Sequence, residues 1–277
     1  MRAALSAALL AASCGAASSP PTAPGNGTAF TVAWSDEFDA PAGTPIDPLK
    51  WKHDVGGGGW GNNQLEYDTA RVANAAHDGE GHLVITAQRE RFTGTDGVTR
   101  DYTSARINTA GRFEQAYGRF EARIQLPVGK GIWPAFWLLG GDIGRVGWPA
   151  CGEVDIMENV GHEPGANHGS LHGPGYSGAT PMTGIFRLPG GERLTDGFHV
   201  FAIEWEPAAI RWYVDGALYQ TRTPSSLPAG TRWVFDHPFF IILNVAVGGN
   251  WPGSPDASTV FPQTMRVDWV RVGKPSG

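Results

Sequence analysis

The chain of 277 residues is short of cysteine and of charge. Its two cysteines, Cys14 and Cys151, cannot form a framework of several disulfide bonds. Charged residues make up only 17% of the chain, the formal net charge is −6, and lysine and arginine form no clusters. Such a surface does not attract nucleic acid or an anionic membrane, so neither is an expected partner.

Long apolar runs are also scarce, and the run over residues 3–12 is too short to span a bilayer. It follows Met1-Arg2 and precedes Ser13-Cys14, which is the arrangement of an export signal. We therefore predict an export signal over residues 1–14, either a lipoprotein signal lipidated on Cys14 or an ordinary secretion signal. Residues 15–28, rich in Ala, Ser, Pro and Gly, are predicted to be a flexible linker.

No window shows a sustained apolar period of 3.6 residues, so the sequence predicts few helices. The 39 glycines, 21 prolines and 11 tryptophans are typical of short strands joined by tight turns. Residues 119–126 alternate between apolar and polar, and residues 239–247 are almost continuously apolar, as in a central strand. Asp215-Gly216 reads as a two-residue hairpin turn. We predict one all-β domain over residues 29–273, a β-sandwich or jelly roll.

Three carboxylates, Glu153, Asp155 and Glu158, lie within six residues of an otherwise apolar segment. In a regular strand Glu158 would face away from the other two, but a β-bulge near Ile156 or Met157 returns it to their face. Two carboxyl groups about 5–5.5 Å apart are what retaining glycoside hydrolysis needs. The alternative is a solvated acidic edge strand, which the apolar neighbours disfavour.

Two indoles accompany these acids in the sequence. Strand alternation places Trp133 and Trp137 on one face, on either side of Ala135, where a sugar ring can stack between them. Core packing is the alternative for both indoles. Asn244 is the one polar side chain in the apolar segment 239–247, so it needs a partner, which is either a ligand or a structural group.

The segment 151–161 resembles the active-site signature of glycoside hydrolase family 16, in the bulged variant found in laminarinase-like β-1,3-glucanases. The resemblance covers roughly residues 29–273. It includes further blocks in family order, namely Trp34-Ser-Asp-Glu-Phe38, Gly56-Gly-Gly-Gly-Trp-Gly-Asn-Asn63, Tyr102-Thr-Ser-Ala-Arg106, Gly131-Ile-Trp-Pro-Ala-Phe-Trp137, Leu171-His-Gly173 and Val267-Asp-Trp-Val270.

The resemblance implies a concanavalin A-like jelly roll with a concave sugar-binding cleft, and retaining endo-hydrolysis of β-1,3-glucan. It assigns Glu153 as nucleophile, Glu158 as general acid/base and Asp155 as their support. The glycine-rich run 56–61 is predicted to be a mobile rim, and Trp60 followed by Asn62, Asn63 and Glu66 resembles the family's substrate-binding loop, in which amides hydrogen-bond sugar hydroxyls. The candidate substrate contacts are Trp60, Asn63, Arg106, Trp133, Trp137, His172, Asn244 and Trp251. The resemblance also places His172 near the acids, where it would hold a carboxylate by a hydrogen bond. A turn-forming role for Asn63 and a strand-face ion pair for Arg106 are the alternatives.

Two rival functions stay open at this point. A mixed-linkage β-1,3-1,4-glucanase or other family polysaccharidase would keep the chemistry and change the sugar. A non-catalytic glucan-binding protein would keep the fold and lose the acids. All three acids are present, and Met157 supplies the bulge residue that mixed-linkage relatives commonly lack, so the β-1,3-glucanase is favoured.

The predicted chemistry requires no cofactor. The resemblance does imply a structural calcium ion, with Asp268 and the carbonyl of Gly81 as ligands, although an ordinary surface aspartate explains Asp268 equally well. Cys151 has no base placed near it in the sequence and is predicted to be a small buried apolar residue. We expect a monomer, located in the cell envelope or outside the cell.

Overall fold

A computed structural model describes residues 29–276 of the chain. The predicted export signal and linker, with Cys14, lie outside the described residues. The strands are β1 Phe30–Asp36, β2 Lys52–Asp54, β3 Glu66–Asp68, β4 Ala75–His77, β5 Leu83–Ala87, β6 Phe92–Thr93, β7 Thr99–Arg100, β8 Tyr102–Ser104, β9 Arg106–Asn108, β10 Gly118–Gln125, β11 Ile132–Gly140, β12 Glu153–Glu158, β13 Ala166–His172, β14 Met182–Arg187, β15 Phe198–Glu206, β16 Ala209–Val214, β17 Ala217–Arg222, β18 Phe239–Val247 and β19 Gln263–Pro275.

Helical structure is confined to single turns in the described part of the chain. The α-helical turn α1 spans Ile143–Val146, and 3₁₀ turns span Gly59–Gly61, Pro189–Gly191 and Pro224–Ser226. Within residues 29–276 no helix has the length and apolar character needed to cross a membrane.

Two antiparallel sheets pack against each other. The eight-stranded sheet has the order β17-β16-β15-β10-β19-β5-β4, and β1 also pairs with β19. The seven-stranded sheet has the order β14-β13-β12-β11-β18-β9-β2, and the pairs β3-β8 and β6-β7 lie apart from both. Because most neighbours are distant in sequence, this is the jelly-roll sandwich that the sequence predicts.

The core lies between the two sheets and follows the predicted alternation. In β10, Phe120, Ala122 and Ile124 are fully buried, and all nine residues of β18 are buried between β11 and β9. The predicted hairpin turn joins β16 to β17, since Asp215 and Gly216 both have positive φ, at 49° and 79°. This matches the twist of a two-residue hairpin turn.

The seven-stranded sheet has one face toward the core and one face directed away from the eight-stranded sheet. On β11, Ile132, Phe136 and Leu138 join the core, whereas Trp133 and Trp137 lie on the other side and are partly exposed. The predicted alternation of this strand is therefore confirmed. We call the side that carries these two indoles the open face.

The join between β10 and β19 offers a test of the packing in the eight-stranded sheet. Gly118 begins β10 with φ of 110°, and a Cβ there would collide with the carbonyl oxygen of Gly273 in β19. Gly111 has φ of 72° but no atom within 4 Å of a Cβ. We expect Gly111→Ala to lower the free energy of unfolding by about 1–2 kcal/mol through its φ alone.

Gly118→Ala should lower the free energy of unfolding by roughly 3 kcal/mol or more, because the strands must also separate. Urea unfolding of the two variants measures the difference. Equal losses in both variants would contradict the close approach of β10 to β19.

Candidate active site

A bulge in β12 sets the directions of the three acidic side chains. In β11, Trp137 pairs with Asp155 and the preceding residue, Phe136, pairs with Met157. One step along β11 thus corresponds to two steps along β12, so β12 contains one extra residue. The same offset separates Asp155 from Glu158 in the pairing with β13. The predicted bulge is therefore present, but the extra residue is Ile156 and not Met157, which pairs with Phe136. The acids share the open face.

The residues between the acids point the other way. Val154, Ile156 and Met157 are fully buried in the core between the sheets. A regular strand would have turned Glu158 into this core instead.

Each outer acid accepts a hydrogen bond from an indole. Trp148 Nε1 donates to Glu153 Oε2 at 2.8 Å, and Trp133 Nε1 donates to Glu158 Oε1 at 3.0 Å. Trp148 is 47% exposed and precedes β12, whereas Asp155, between the two glutamates, is only 2% exposed. The two indoles thus fix one oxygen of each glutamate on either side of a buried aspartate.

His172 supports the acids from the neighbouring strand β13. Its Nε2 lies 3.1 Å from Asp155 Oδ2 and 3.6 Å from Glu153 Oε1. Its Nδ1 accepts the backbone N–H of Gly178 at 3.2 Å, so the ring proton of a neutral imidazole is on Nε2 and faces the carboxylates. The structure therefore brings His172 beside the acids, where the sequence expects it.

Burial and mutual repulsion raise the pKa values of all three acids. Burial, and then the charge of Asp155, raise the pKa of Glu153 to about 7. The same two causes raise the pKa of Glu158 well above its ordinary value, and burial does so for Asp155. A tight group of this kind shares its protons, and the raised pKa values favour retention of protons within the group.

Arg106 forms the side of the open face away from His172. Its guanidinium carbon lies 4.6 Å from the ring centroid of Trp60 and 4.8 Å from that of Trp137. Its Nε also donates to Asp54 Oδ2 at 3.0 Å. The ion pair that the sequence offered as an alternative is present, Arg106 lies on the same face as the acids, and its contact with substrate stays a prediction.

Trp60 is held more firmly than the glycine-rich sequence around it suggests. Its Nε1 donates to Asp68 Oδ2 at 2.7 Å, and Arg106 packs on its ring. These contacts hold it at φ of 48°, which is uncommon for a bulky residue. Trp60 thus has defined partners in the structure, and the mobility of the rim stays a prediction.

Glu66, in the segment after the rim glycines, is buried. It is 1% exposed, and its Oε2 accepts the backbone N–H of Val247 at 2.7 Å. Burial and the charge of Asp68 raise its pKa well above the ordinary value. Glu66 therefore ties β3 to β18 beneath the rim.

The rim residues Asn63 and Trp251 come together from distant parts of the chain. Asn63 Nδ2 donates to Asn250 Oδ1 at 2.8 Å, and Asn63 has φ of 56°, so its turn-forming role is present. Trp251 is 41% exposed and meets Trp133 edge to face, with ring centroids 5.5 Å apart. Its ring also meets that of His168 at 4.8 Å.

Asn244 has a structural partner. Its Oδ1 accepts the Nε1 hydrogen of Trp137 at 2.8 Å, and the side chain is 8% exposed on the open face. This contact fixes the indole of Trp137 between β18 and Arg106. The structural role that the sequence left open is thus present, and a contact with ligand stays a prediction.

Of the residues implied in calcium binding, Asp268 lies in β19 of the eight-stranded sheet and Gly81 lies in the turn between β4 and β5. Asp268 Oδ2 lies 2.5 Å from Arg123 Nη1, so a guanidinium cation already neutralises that carboxylate. Gly81 has φ of 86° and lies near the Asp39 carboxylate. For Asp268 to bind a calcium ion, Arg123 would have to move away from the carboxylate, because the two side chains form an ion pair in this arrangement. Calcium binding stays a prediction.

Cys151 is fully buried and has no disulfide partner among residues 29–276. Burial and the charges of Glu153 and Asp142 raise the pKa of its thiol to about 11. The thiol is therefore neutral and has no chemical role near the acids, as the sequence predicts.

Sequence reasoning missed three residues that shape the site. Trp148 was not proposed, although it stands five positions before Glu153, and Asp54 and Asp68 were not proposed as anchors of Arg106 and Trp60. For Trp148 the one available signal was a tryptophan in the loop that directly precedes the acidic strand. Nothing local to Asp54 or Asp68 indicates their partners.

An antiparallel sandwich with buried, paired carboxylates between indoles on its open face defines a glycoside hydrolase. The family model "Glycosyl hydrolases family 16" matches residues 62–271, and the chain belongs to this family.

Three similar proteins agree with this assignment. A β-glucanase of Rhodothermus marinus is 46% identical over 253 residues, which is 88% of this chain and 85% of that protein. An endo-β-1,3-glucanase of Pyrococcus furiosus superposes with a TM-score of 0.86 at 48% identity, over 91% of this chain and 97% of the other. A laminarinase catalytic domain of Thermotoga petrophila superposes with a TM-score of 0.85 at 48% identity, over 90% and 100%.

The raised pKa of Glu158 has a consequence for stability. Below the ordinary pKa of 4.5 the carboxyl is neutral in both the folded and unfolded chains, so its burial has no ionic cost. As pH rises above 4.5 the unfolded chain releases the proton while the folded chain retains it, so stability falls. Glu158→Gln should remove this loss and keep an acceptor for Trp133.

We therefore expect Glu158→Gln to raise Tm by about 2–4 °C or more at alkaline pH and by less at acidic pH. Calorimetry across this pH range measures the difference between variant and wild type. Glu192→Gln, at an exposed carboxyl outside the site, is the control. A gain that is the same at every pH would contradict the ionic cost at Glu158.

Proposed function

We propose that the protein cleaves internal β-1,3 bonds of a laminarin-like β-glucan and retains the anomeric configuration. The observation that carries this proposal is the bulged row of Glu153, Asp155 and Glu158, which share one open face with partly exposed indoles. Family 16 is a retaining family, and the named relatives include β-1,3-glucanases. Both facts support the proposal.

Glu153 is the proposed nucleophile. As a carboxylate it attacks the anomeric carbon and forms a glycosyl-enzyme while the bond to the leaving oxygen breaks. The hydrogen bond from Trp148 and the charges of His172 and Arg106 each lower the pKa of Glu153 against the effect of burial. They favour the ionised form that attack requires.

Glu158 is the proposed general acid and then general base. It gives its proton to the leaving oxygen, and in the second step it takes a proton from the water that attacks the glycosyl-enzyme. Its raised pKa supports the acid role, because the carboxyl stays protonated when substrate binds. Asp155, facing the Nε2 proton of His172, buffers the charge between the two glutamates.

The sugar-contacting surface is proposed to run along the indoles of the open face. Trp133, Trp137, Trp60 and Trp251 present flat apolar rings that suit pyranose stacking. Arg106 and Asn63 offer donors beside them. A neutral polysaccharide matches these groups better than a charged one, since Arg106 is already paired with Asp54.

Mixed-linkage β-1,3-1,4-glucan is the second candidate substrate. The extra residue in β12, which relatives specialised for that substrate commonly lack, favours β-1,3-glucan. A purely glucan-binding role is disfavoured, because the three acids carry raised pKa values that a binding surface does not need. Export with a lipid on Cys14 and a monomeric state are further proposals about the whole chain.

A substrate panel tests the proposed specificity. Reducing-sugar release from laminarin and curdlan should exceed release from lichenan, xyloglucan, agarose and carrageenan, because the indole-lined face suits the curved β-1,3 chain. The early products should be oligosaccharides of several lengths, as expected for cleavage of internal bonds. Faster release from lichenan than from laminarin would favour the mixed-linkage candidate.

The roles of the two glutamates can be separated by alanine variants. Glu153→Ala should lose turnover of laminarin, and azide should restore activity on an aryl glycoside with a good leaving group, giving a product of inverted configuration. Glu158→Ala should lose about 10²–10⁴-fold on laminarin and much less on the aryl glycoside, which needs little protonation. Wild-type turnover of laminarin by either variant would contradict the assignment.

A further inference from the structure

The bulge in β12 leaves backbone groups that the strand ladder cannot satisfy. Ile156 is the extra residue between Asp155 and Met157 in the pairing with β11. A bulge disrupts the ladder locally, so the carbonyl groups around it need other donors when they are buried. Asp155 and Ile156 are both buried, so water does not provide those donors.

Two core side chains provide the donors instead. Trp212 of β16, in the opposite sheet, donates its Nε1 hydrogen to the Asp155 carbonyl at 2.8 Å. Asn167 of β13 donates from Nδ2 to the Ile156 carbonyl at 3.2 Å. An indole has one N–H donor, and Trp212 is fully buried. This contact with β12 is therefore the hydrogen bond that the donor makes.

A gap in the seven-stranded sheet lets the indole reach β12. Gly169 lies in β13, and a Cβ there would be 2.6 Å from Trp212 Cδ1 and 2.9 Å from its Nε1. Any larger residue at position 169 would therefore push the ring away from the Asp155 carbonyl. The same Cβ would lie closer still to the hydroxyl oxygen of Tyr219, so Gly169 leaves room for two rings, one of which is the indole that reaches the bulge.

The position of the bulge decides where Glu158 points. If the strand became regular, or if the extra residue moved outside the interval between Asp155 and Glu158, Glu158 would turn from the open face toward the core. A donor aimed at the Asp155 carbonyl stabilises the arrangement in which the ladder breaks just after Asp155. Trp212 itself belongs to the core between the two sheets.

We propose that Trp212 is a positioning residue that fixes the bulge and thereby aligns Glu158 with the reacting bond. This inference rests on the proposed acid role of Glu158. The eight-stranded sheet then contributes to the reaction through one indole, whose N–H bonds to the backbone of the seven-stranded sheet. Asn167 supports the same bulge from within the seven-stranded sheet.

The test compares Trp212→Phe with Trp205→Phe. Trp205 is a matched control, since it is also a buried indole in the eight-stranded sheet that donates to a backbone carbonyl, that of Phe235 at 3.1 Å. For each variant, Tm, kcat and KM are measured on laminarin and on a dinitrophenyl β-laminaribioside. The second substrate has a leaving group that needs little help from an acid.

Both variants should lose stability to a similar degree. Only Trp212→Phe should lower kcat on laminarin, by about 10- to 100-fold, because a small displacement of a catalytic group has an effect of that order. Its KM should change by less than about twofold, and its loss on the aryl glycoside should be several times smaller. If Trp212→Phe fails to fold, site-specific replacement by benzothienylalanine keeps the ring shape and removes only the donor.

Three results would overturn the proposal: wild-type kcat in the variant that lacks the donor, an equal loss in Trp205→Phe, or an equal loss on both substrates. The wild-type protein is measured in the same series. Absence of wild-type turnover on both substrates would refute the proposed function itself, whereas an active wild type with an unaffected Trp212→Phe would refute only the positioning role.

Discussion

The site depends on one geometric constraint, the single extra residue in β12. Side chains of a strand alternate with a period of two, so acids at positions 153, 155 and 158 cannot share a face without an offset. The offset at Ile156 resolves this and gives three carboxylates to the open face, while Val154 and Met157 stay in the core. Trp133, His172 and Trp212 can make their contacts with Glu158 and Asp155 only in that register.

Burial of the three acids favours the proposed chemistry and lowers the stability of the fold. Three neighbouring acids with little access to water hold their protons more tightly, which suits a group that must give a proton to a departing oxygen. The same crowding is unfavourable for folding once the acids ionise. The large apolar core between the sheets compensates, and the ion pair of Arg106 with Asp54 keeps positive charge beside the acids.

Local patterns were enough to predict the sandwich, the acidic strand with its bulge, and the shared face of Trp133 and Trp137, because each follows from strand alternation. Contacts between distant segments could not be predicted. Trp212 reads as one more core residue, and its carbonyl partner is 57 residues away in sequence. The partner of Trp60 could not be predicted either, because Asp68 lies in a separate strand and nothing near it in sequence indicates the contact.

The buried Cys151, which has no disulfide partner in the described part of the chain, affects how the domain responds to the redox conditions around it. Its thiol sits immediately before the catalytic strand, is sealed from solvent and stays protonated, so neither oxidants nor metals can reach a thiolate there. No disulfide bond within residues 29–276 has to be formed or protected. The folded catalytic unit is therefore indifferent to redox potential, and its covalent structure is the same in a reducing cytoplasm and in an oxidising exterior.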